Sequence, residues 1–178
     1  MFINNKYRSK ILLNIQLLLL LVSSNIANAD AVIKPGSILI VNEPIRVAAG
    51  SAWIYIQNGK TGTFNNIDQY YANCRIEIKR PANKTHIIQP GKFIISRIVN
   101  TIESVLAKPI AVASLGFNMS FSVTADDYIT IFYLKSSKQP DVELMSCQHW
   151  EDPTVFAEFL TSKQIIDTLG ELITIKSQ

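Results

Sequence analysis

The sequence contains few of the residues that most enzymes use for catalysis. Its 178 residues include two histidines and two cysteines. A serine or cysteine nucleophile needs an adjacent base, and only His86 and His149 could supply an imidazole. Neither lies in a catalytic motif, and the chain has no G-x-S-x-G elbow, no H-E-x-x-H and no glycine-rich phosphate loop. These absences argue against the common hydrolase, metalloprotease and nucleotide-binding classes.

Excess positive charge is also lacking once the N-terminus is set aside. The whole chain carries 17 Lys and Arg against 14 Asp and Glu, but Lys6, Arg8 and Lys10 lie in the first ten residues. The rest of the chain is formally neutral. The sequence therefore has no basic patch that would predict binding to nucleic acid or to an acidic membrane surface.

Residues 1–29 have the pattern of a secretory signal peptide. A basic segment precedes the apolar residues 11–22, and Ala27 and Ala29 supply the small residues that signal peptidase needs. A spanning helix needs about 20 apolar residues, so this segment is too short, although an uncut anchor is the alternative. We predict cleavage between Ala29 and Asp30 and a mature chain without a membrane span. The predicted location is the periplasm, with secretion as the alternative.

Residues 30–178 are enough for a single domain with a hydrophobic core. Its two cysteines are Cys74 and Cys147. In an oxidising compartment, two cysteines most simply form one intramolecular disulfide. Two free thiols and an intermolecular disulfide are the alternatives.

Short strands with frequent turn signals dominate this domain. Residues 74–79 alternate most clearly between apolar and polar side chains and predict a half-buried strand. Residues 37–41 and 45–47 are interpreted as edge strands because a proline separates them. Asn58 and Gly59 predict a hairpin turn, but the polar residues 60–69 after it are interpreted as a loop. Residues 125–127 are interpreted as a turn between two strands.

A single helix is predicted near the C-terminus. Thr161 and Gln164 form a capping-box pattern, and Gly170 is the expected helix stop. The predicted helix covers about residues 161–169. The expected fold is therefore mainly β, an antiparallel sandwich or small barrel with one short helix and one disulfide.

Aromatic residues form the predicted ligand surface. Together with one histidine, the set consists of Trp53, Tyr55, Tyr70, Tyr71, His149 and Trp150. Packing within the core is the alternative for aromatic side chains on strands.

Two other hypotheses use the segment around His149. An envelope hydrolase would use His149 with Glu151 or Asp152 and a nucleophile such as serine. A metal binder would use Cys147 and His149, because residues two apart on a strand face the same way. A disulfide at Cys147 would remove that thiolate, so we predict no metal and no cofactor.

Several segments together resemble a family of small exported proteins from Gram-negative proteobacteria that has no assigned activity. The segments are WIYIQNG (residues 53–59), DQYYANCRIE (68–77), QPGKF (89–93), QPDVELMSC (139–147), HWEDP (149–153) and residues 165–172. The resemblance implies a periplasmic location and a Cys74–Cys147 pair. It implies no activity, cofactor or catalytic residue.

The sequence as a whole favours a non-catalytic role. The domain is expected to bind an envelope protein or a small ligand, and neither partner is identified by any motif.

Overall fold

The computed structural model describes residues 32–81, 83–111 and 120–177. Within these ranges the chain forms ten strands and one α-helix. They are β1 Ile38–Val41, β2 Ile45–Val47, β3 Trp53–Gln57, β4 Lys60–Gly62, β5 Asn73–Ile78, β6 His86–Ile88, β7 Gly91–Ala111, β8 Ser120–Lys135, β9 Val142–Glu151, α1 Ser162–Leu169 and β10 Ile173–Lys176. The predicted mainly β fold is confirmed. The predicted signal peptide and the Ala29–Asp30 cleavage site lie outside the described residues.

One large antiparallel sheet organises these strands. Its order is β10-β1-β7-β8-β9-β5-β3-β4, and β2 and β6 form a separate two-stranded sheet. The large sheet curls into a half-barrel. Helix α1 packs against β10 at one end of the sheet and against β3 and β5 near the other. The helix therefore closes the concave side. Of the helices in the described ranges, none has the length and hydropathy to cross a bilayer.

The hydrophobic core fills the concave side. Strands from both ends of the sheet contribute, and α1 adds Ile165 and Leu169. Among the largest fully buried side chains are Phe93, Phe132 and Met145. Because burial of each such side chain is worth about 2 kcal/mol, this layer is the main source of stability.

The disulfide lies inside this core. Cys74 on β5 is the direct cross-strand neighbour of Cys147 on β9, and the two sulfurs are bonded. Both residues are fully buried. The predicted intramolecular pairing is confirmed, and the alternatives of free thiols and of an intermolecular bridge are wrong.

The predicted helix and its capping box are also confirmed. The Gln164 N–H donates to Thr161 Oγ1 at 3.2 Å, and the Thr161 N–H donates to Gln164 Oε1 at 2.8 Å. Beyond the helix, Gly170 approaches the β3–β4 turn so closely that a Cβ there would lie 2.8 Å from the Gly59 Cα. The Gly59 N–H also donates to the Thr168 carbonyl. The hairpin turn and the helix end thus pack backbone to backbone.

Two interpretations of the short strands are wrong. β1 is not an edge strand, because β10 pairs with its outer side, with Ile38 opposite Lys176. Residues 60–69 are not wholly a loop, because Lys60–Gly62 returns as β4. Asn58 and Gly59 both adopt positive φ, 52° and 71°, which is the two-residue turn that closes a tight hairpin.

The predicted turn at residues 125–127 is also wrong, since these residues lie inside the continuous strand β8. Both acidic residues are accommodated by neighbouring strands. Asp126 accepts a hydrogen bond from Ser104 on β7, and Asp127 accepts one from Gln148 on β9. Ala125 is buried.

The disulfide should contribute strongly to stability because it closes a loop of 73 residues. The double variant Cys74→Ala/Cys147→Ala is expected to lose about 4 kcal/mol of unfolding free energy. Urea denaturation measures this loss. As a control, reductant should lower the urea midpoint of the wild type and leave that of the variant unchanged. Equal midpoints for the two proteins would contradict the prediction.

Candidate functional site

The C-terminal end of β9 carries side chains to two different surfaces. Successive strand residues point to opposite sides of a sheet. Gln148 and Trp150 therefore lie on the convex face, whereas His149 and Glu151 lie on the side of Cys147 and the core. The predicted ligand surface is thus divided between the two sides of one strand.

Aromatic side chains form a connected cluster on the convex face. The Trp150 ring contacts Tyr70 and Phe64, with centroid distances of 5.9 and 6.1 Å. Phe64 also contacts Tyr55 at 6.0 Å. Trp53 lies on the same face of β3 as Tyr55, and its ring lies 5.8 Å from the Arg75 guanidinium. The structure therefore brings together four members of the predicted ligand surface, Trp53, Tyr55, Tyr70 and Trp150, and adds Phe64.

Buried and half-buried polar residues lie among these rings. Arg75 Nε contacts Ser146 Oγ at 3.0 Å and Glu77 Oε1 at 2.7 Å. Gln148 Nε2 donates to Asp127 Oδ2 at 3.0 Å. Within the described part of the chain, Asp127 Oδ1 and Gln148 Oε1 have no hydrogen-bond partner. Buried polar atoms without a hydrogen-bond partner are uncommon, and they make this cluster sensitive to the charge on Asp127.

Asp127 is the most perturbed group in this polar cluster. Burial raises its pKa from 3.8 to about 6. The Trp150 indole and the Arg75 guanidinium lower the pKa in part, and the Glu103 carboxylate raises it further. The indole N–H lies near the carboxylate without a good hydrogen-bond geometry. Burial therefore outweighs the favourable neighbours.

A groove lies on the other side of the β9 end. Its volume is about 580 Å³, and its lining includes Tyr70, Tyr71, His149, Glu151, Val155 and Phe156. Phe156 is fully exposed, and Tyr71 is 70% exposed. His149 and Tyr71 thus belong to the groove, while Tyr70 borders both surfaces.

His149 forms the inner wall of the groove and is held in the neutral form. Its ring stacks on Tyr128 with a centroid distance of 5.7 Å. Burial lowers the His149 pKa, and the nearby Glu151 carboxylate opposes this only in part. Glu151 Oε1 lies 3.7 Å from His149 Nε2. Asp152 instead accepts hydrogen bonds from the backbone N–H and the hydroxyl of Thr154.

These contacts bear on the hydrolase hypothesis. His149 and Glu151 are brought together as that hypothesis requires, but Asp152 is not. The described residues that line the groove include no serine or cysteine. The Thr161 hydroxyl contacts Gln164 Oε1 at 2.9 Å within the helix cap. The hypothesis stays a prediction that still needs a nucleophile.

The metal hypothesis loses its thiolate ligand. Cys147 is bonded to Cys74, so its sulfur cannot bind a metal as a thiolate. Across residues 32–81, 83–111 and 120–177, no three His, Cys, Asp or Glu side chains lie close enough to hold a metal ion. His86 is remote from this region of β9 and pairs with Asp141 at 3.1 Å.

Several residues of these surfaces were not predicted from the sequence, among them the exposed phenylalanines Phe64 and Phe156. Phe64 lies in a polar segment and Phe156 in an apolar one, VFAEFL (residues 155–160), and both lie outside the strands. Phe64 has no apolar neighbours in sequence, and an apolar run such as residues 155–160 gives no sign that Phe156 is exposed rather than buried.

Comparisons with protein-family models, with curated proteins and with solved structures found no match. The resemblance to exported proteobacterial proteins therefore stays a prediction. What this chain can bind has to be inferred from its own geometry.

The Asp127 carboxyl should make stability fall as the pH rises. Because its pKa is higher in the folded state, the folded protein retains the proton between about pH 4 and pH 6, and the buried charge opposes folding above that range. Asp127→Asn is therefore expected to be more stable than the wild type at about pH 7, by about 2 kcal/mol after allowance for partial solvation. The two proteins should be similar at about pH 4.

Urea denaturation at both pH values measures this difference. The matched control is Asp126→Asn, which changes the neighbouring acid on the other side of β8. A difference for Asp127→Asn that does not grow with pH would show that the folded-state pKa is not raised.

Proposed function

We propose that this protein is an exported, periplasmic β domain that binds a ligand or partner protein through the groove and does not catalyse a reaction. The observation that carries this proposal is the exposure of apolar side chains around a concave surface. Exposed apolar patches of this kind typically mark binding sites.

The groove has the size and composition of a binding site. Its volume of about 580 Å³ falls within the range common for ligand sites. Tyr70, Tyr71 and Phe156 provide aromatic surface that is open to solvent. Aromatic side chains supply much of the energy at binding surfaces because they bury a large area.

The charges of the groove indicate which ligands it prefers. Glu151 and Glu158 both line it, His149 is neutral, and the described lining includes no lysine or arginine. An anionic, aromatic groove attracts a ligand that combines positive charge with apolar surface. An extended segment of an envelope protein with alternating basic and apolar residues has this chemistry.

Two observations support the proposed location. A disulfide in the hydrophobic core is typical of proteins that fold in an oxidising compartment. The N-terminal pattern of basic, apolar and small residues is that of an export signal. The resemblance to exported proteobacterial proteins points the same way.

Binding of a short peptide that alternates Lys and Leu tests the proposal. Isothermal titration calorimetry should detect this peptide and give much weaker binding for its Glu-Leu counterpart. Phe156→Ala should weaken the Lys-Leu peptide about tenfold, since loss of an aromatic contact costs about 1.4 kcal/mol. Phe64→Ala is the matched control, because Phe64 is also exposed but lies on the convex face. Equal affinity for both peptides, or no effect of Phe156→Ala, would contradict the proposal.

A further inference from the structure

Among the described residues, a long stretch of one edge of strand β7 has no partner strand. β1 pairs with it only from Gly91 to Ile94, and two backbone hydrogen bonds extend this contact to Ile95. β7 itself continues to Ala111 along β8. From Ser96 onward, no described strand pairs with the opposite edge of β7. An exposed strand edge of this length is a template for pairing with another chain.

The backbone groups that face this free edge can be identified. Ile95 uses both its N–H and its C=O toward Ser37 and Gly36 on the outer side. A bulge between Ile95 and Arg97 then shifts the alternation by one residue. The outward-facing residues beyond the bulge are therefore Ile98, Asn100 and Ile102, since alternate residues of an antiparallel strand hydrogen-bond on alternate sides.

The edge lacks the residues that usually protect such strands. Between Ser96 and Leu106 there is no proline and no lysine, and the only charged residues are Arg97 and Glu103. Ile102 is 50% exposed and Leu106 is 76% exposed. Natural edge strands usually prevent association with lysine, proline or short length. This edge instead favours association.

The sequence of the edge is self-complementary about Asn100. In an antiparallel pair of two identical strands centred on this residue, Arg97 of each copy lies opposite Glu103 of the other. Ile98 lies opposite Ile102, and Val99 opposite Thr101. Residues directly opposite in an antiparallel pair lie on the same face, so both charge pairs and both isoleucine pairs would be in contact.

Centring the pair of strands on Asn100 also satisfies the backbone hydrogen bonds of the free edge. Asn100 is an outward-facing residue, so two copies of Asn100 placed opposite each other can exchange both of their hydrogen bonds. Ile98 and Ile102 then form the next hydrogen-bonded pairs on either side. Side-chain and backbone complementarity thus specify one register.

We propose that two copies of this chain associate through the free edge of β7, antiparallel and about a two-fold axis at Asn100. The two half-barrel sheets then continue into each other. Such an interface is isologous, since the same surface is used by both copies. A second copy is the occupant because the charge pattern complements itself.

The charges within one copy agree with this arrangement. Glu103 lies directly opposite Asp127 on β8, and this like-charge neighbour raises the Asp127 pKa. Arg97 lies on the same face, with its guanidinium 3.8 Å from the centre of the Tyr133 ring. In the dimer, Glu103 gains Arg97 of the second copy on its open side. The unfavourable Glu103–Asp127 contact is then partly compensated.

Charge exchange at the edge tests the proposed register. Sedimentation of the purified full chain over a range of concentrations should show a monomer–dimer equilibrium. Arg97→Glu places two pairs of like charges in the interface, as does Glu103→Arg, and each should weaken the dimer about tenfold, which corresponds to about 1.4 kcal/mol. The double variant Arg97→Glu/Glu103→Arg restores both attractive pairs and should restore dimerisation.

Two further variants complete the experiment. Lys92→Glu makes a similar charge change on the part of β7 that β1 already covers, and it should leave the dimer unchanged. Asn100→Lys places two positive charges at the axis and should weaken the dimer independently of the ion pairs. Circular dichroism establishes that each variant is folded.

Three results would overturn the proposal. One is a wild type that stays monomeric at the highest concentration. The second is a dimer that neither single charge variant nor Asn100→Lys weakens. The third is a double variant that dimerises no better than the single variants, which would exclude this register and favour a different partner strand. The edge and the groove share no residue, so peptide binding at the groove can be retained or lost independently of these results.

Discussion

The covalent link between β5 and β9 is the constraint on which the rest of the structure depends. Cys74 and Cys147 hold two neighbouring strands at the centre of the curled sheet, with both sulfurs inside the core. β9 is also the strand whose end carries both candidate surfaces. Because the cross-link fixes the position of β9 against β5, it also fixes where the end of β9 places Trp150 and His149 relative to β5.

The two candidate surfaces differ in the way polar groups are accommodated. On the convex face, Asp127 and Gln148 are buried beside aromatic rings and each keeps an oxygen without a hydrogen-bond partner among the described residues, while Arg75 is half-buried. At the groove, Glu151 is near His149 but remains accessible to solvent. Groups that must exchange a native partner for a ligand need such access, which is why we propose the groove rather than the convex cluster as the binding surface.

Sequence patterns predicted the elements that are specified locally. The capping box at Thr161, the half-buried strand after Cys74 and the turn at Asn58 each depend on residues close in sequence. The missed features depend on distant partners. Asp126 and Asp127 indicate a turn, because the local sequence does not show that Ser104 and Gln148 donate hydrogen bonds to them from the neighbouring strands. In the same way, the predicted ligand surface combined His149 and Trp150, which the pairing of β9 places on opposite faces, and no pattern predicted that Phe156 lines the groove.

The position of β1 has a consequence for the order of folding. This first strand of the described fold lies between β7 and the C-terminal β10, so its pairing is incomplete until the last residues of the chain are available. Folds that depend on contacts between distant segments form slowly. If the chain is exported as we propose, β1 would complete its pairing only after β10 had also crossed the membrane.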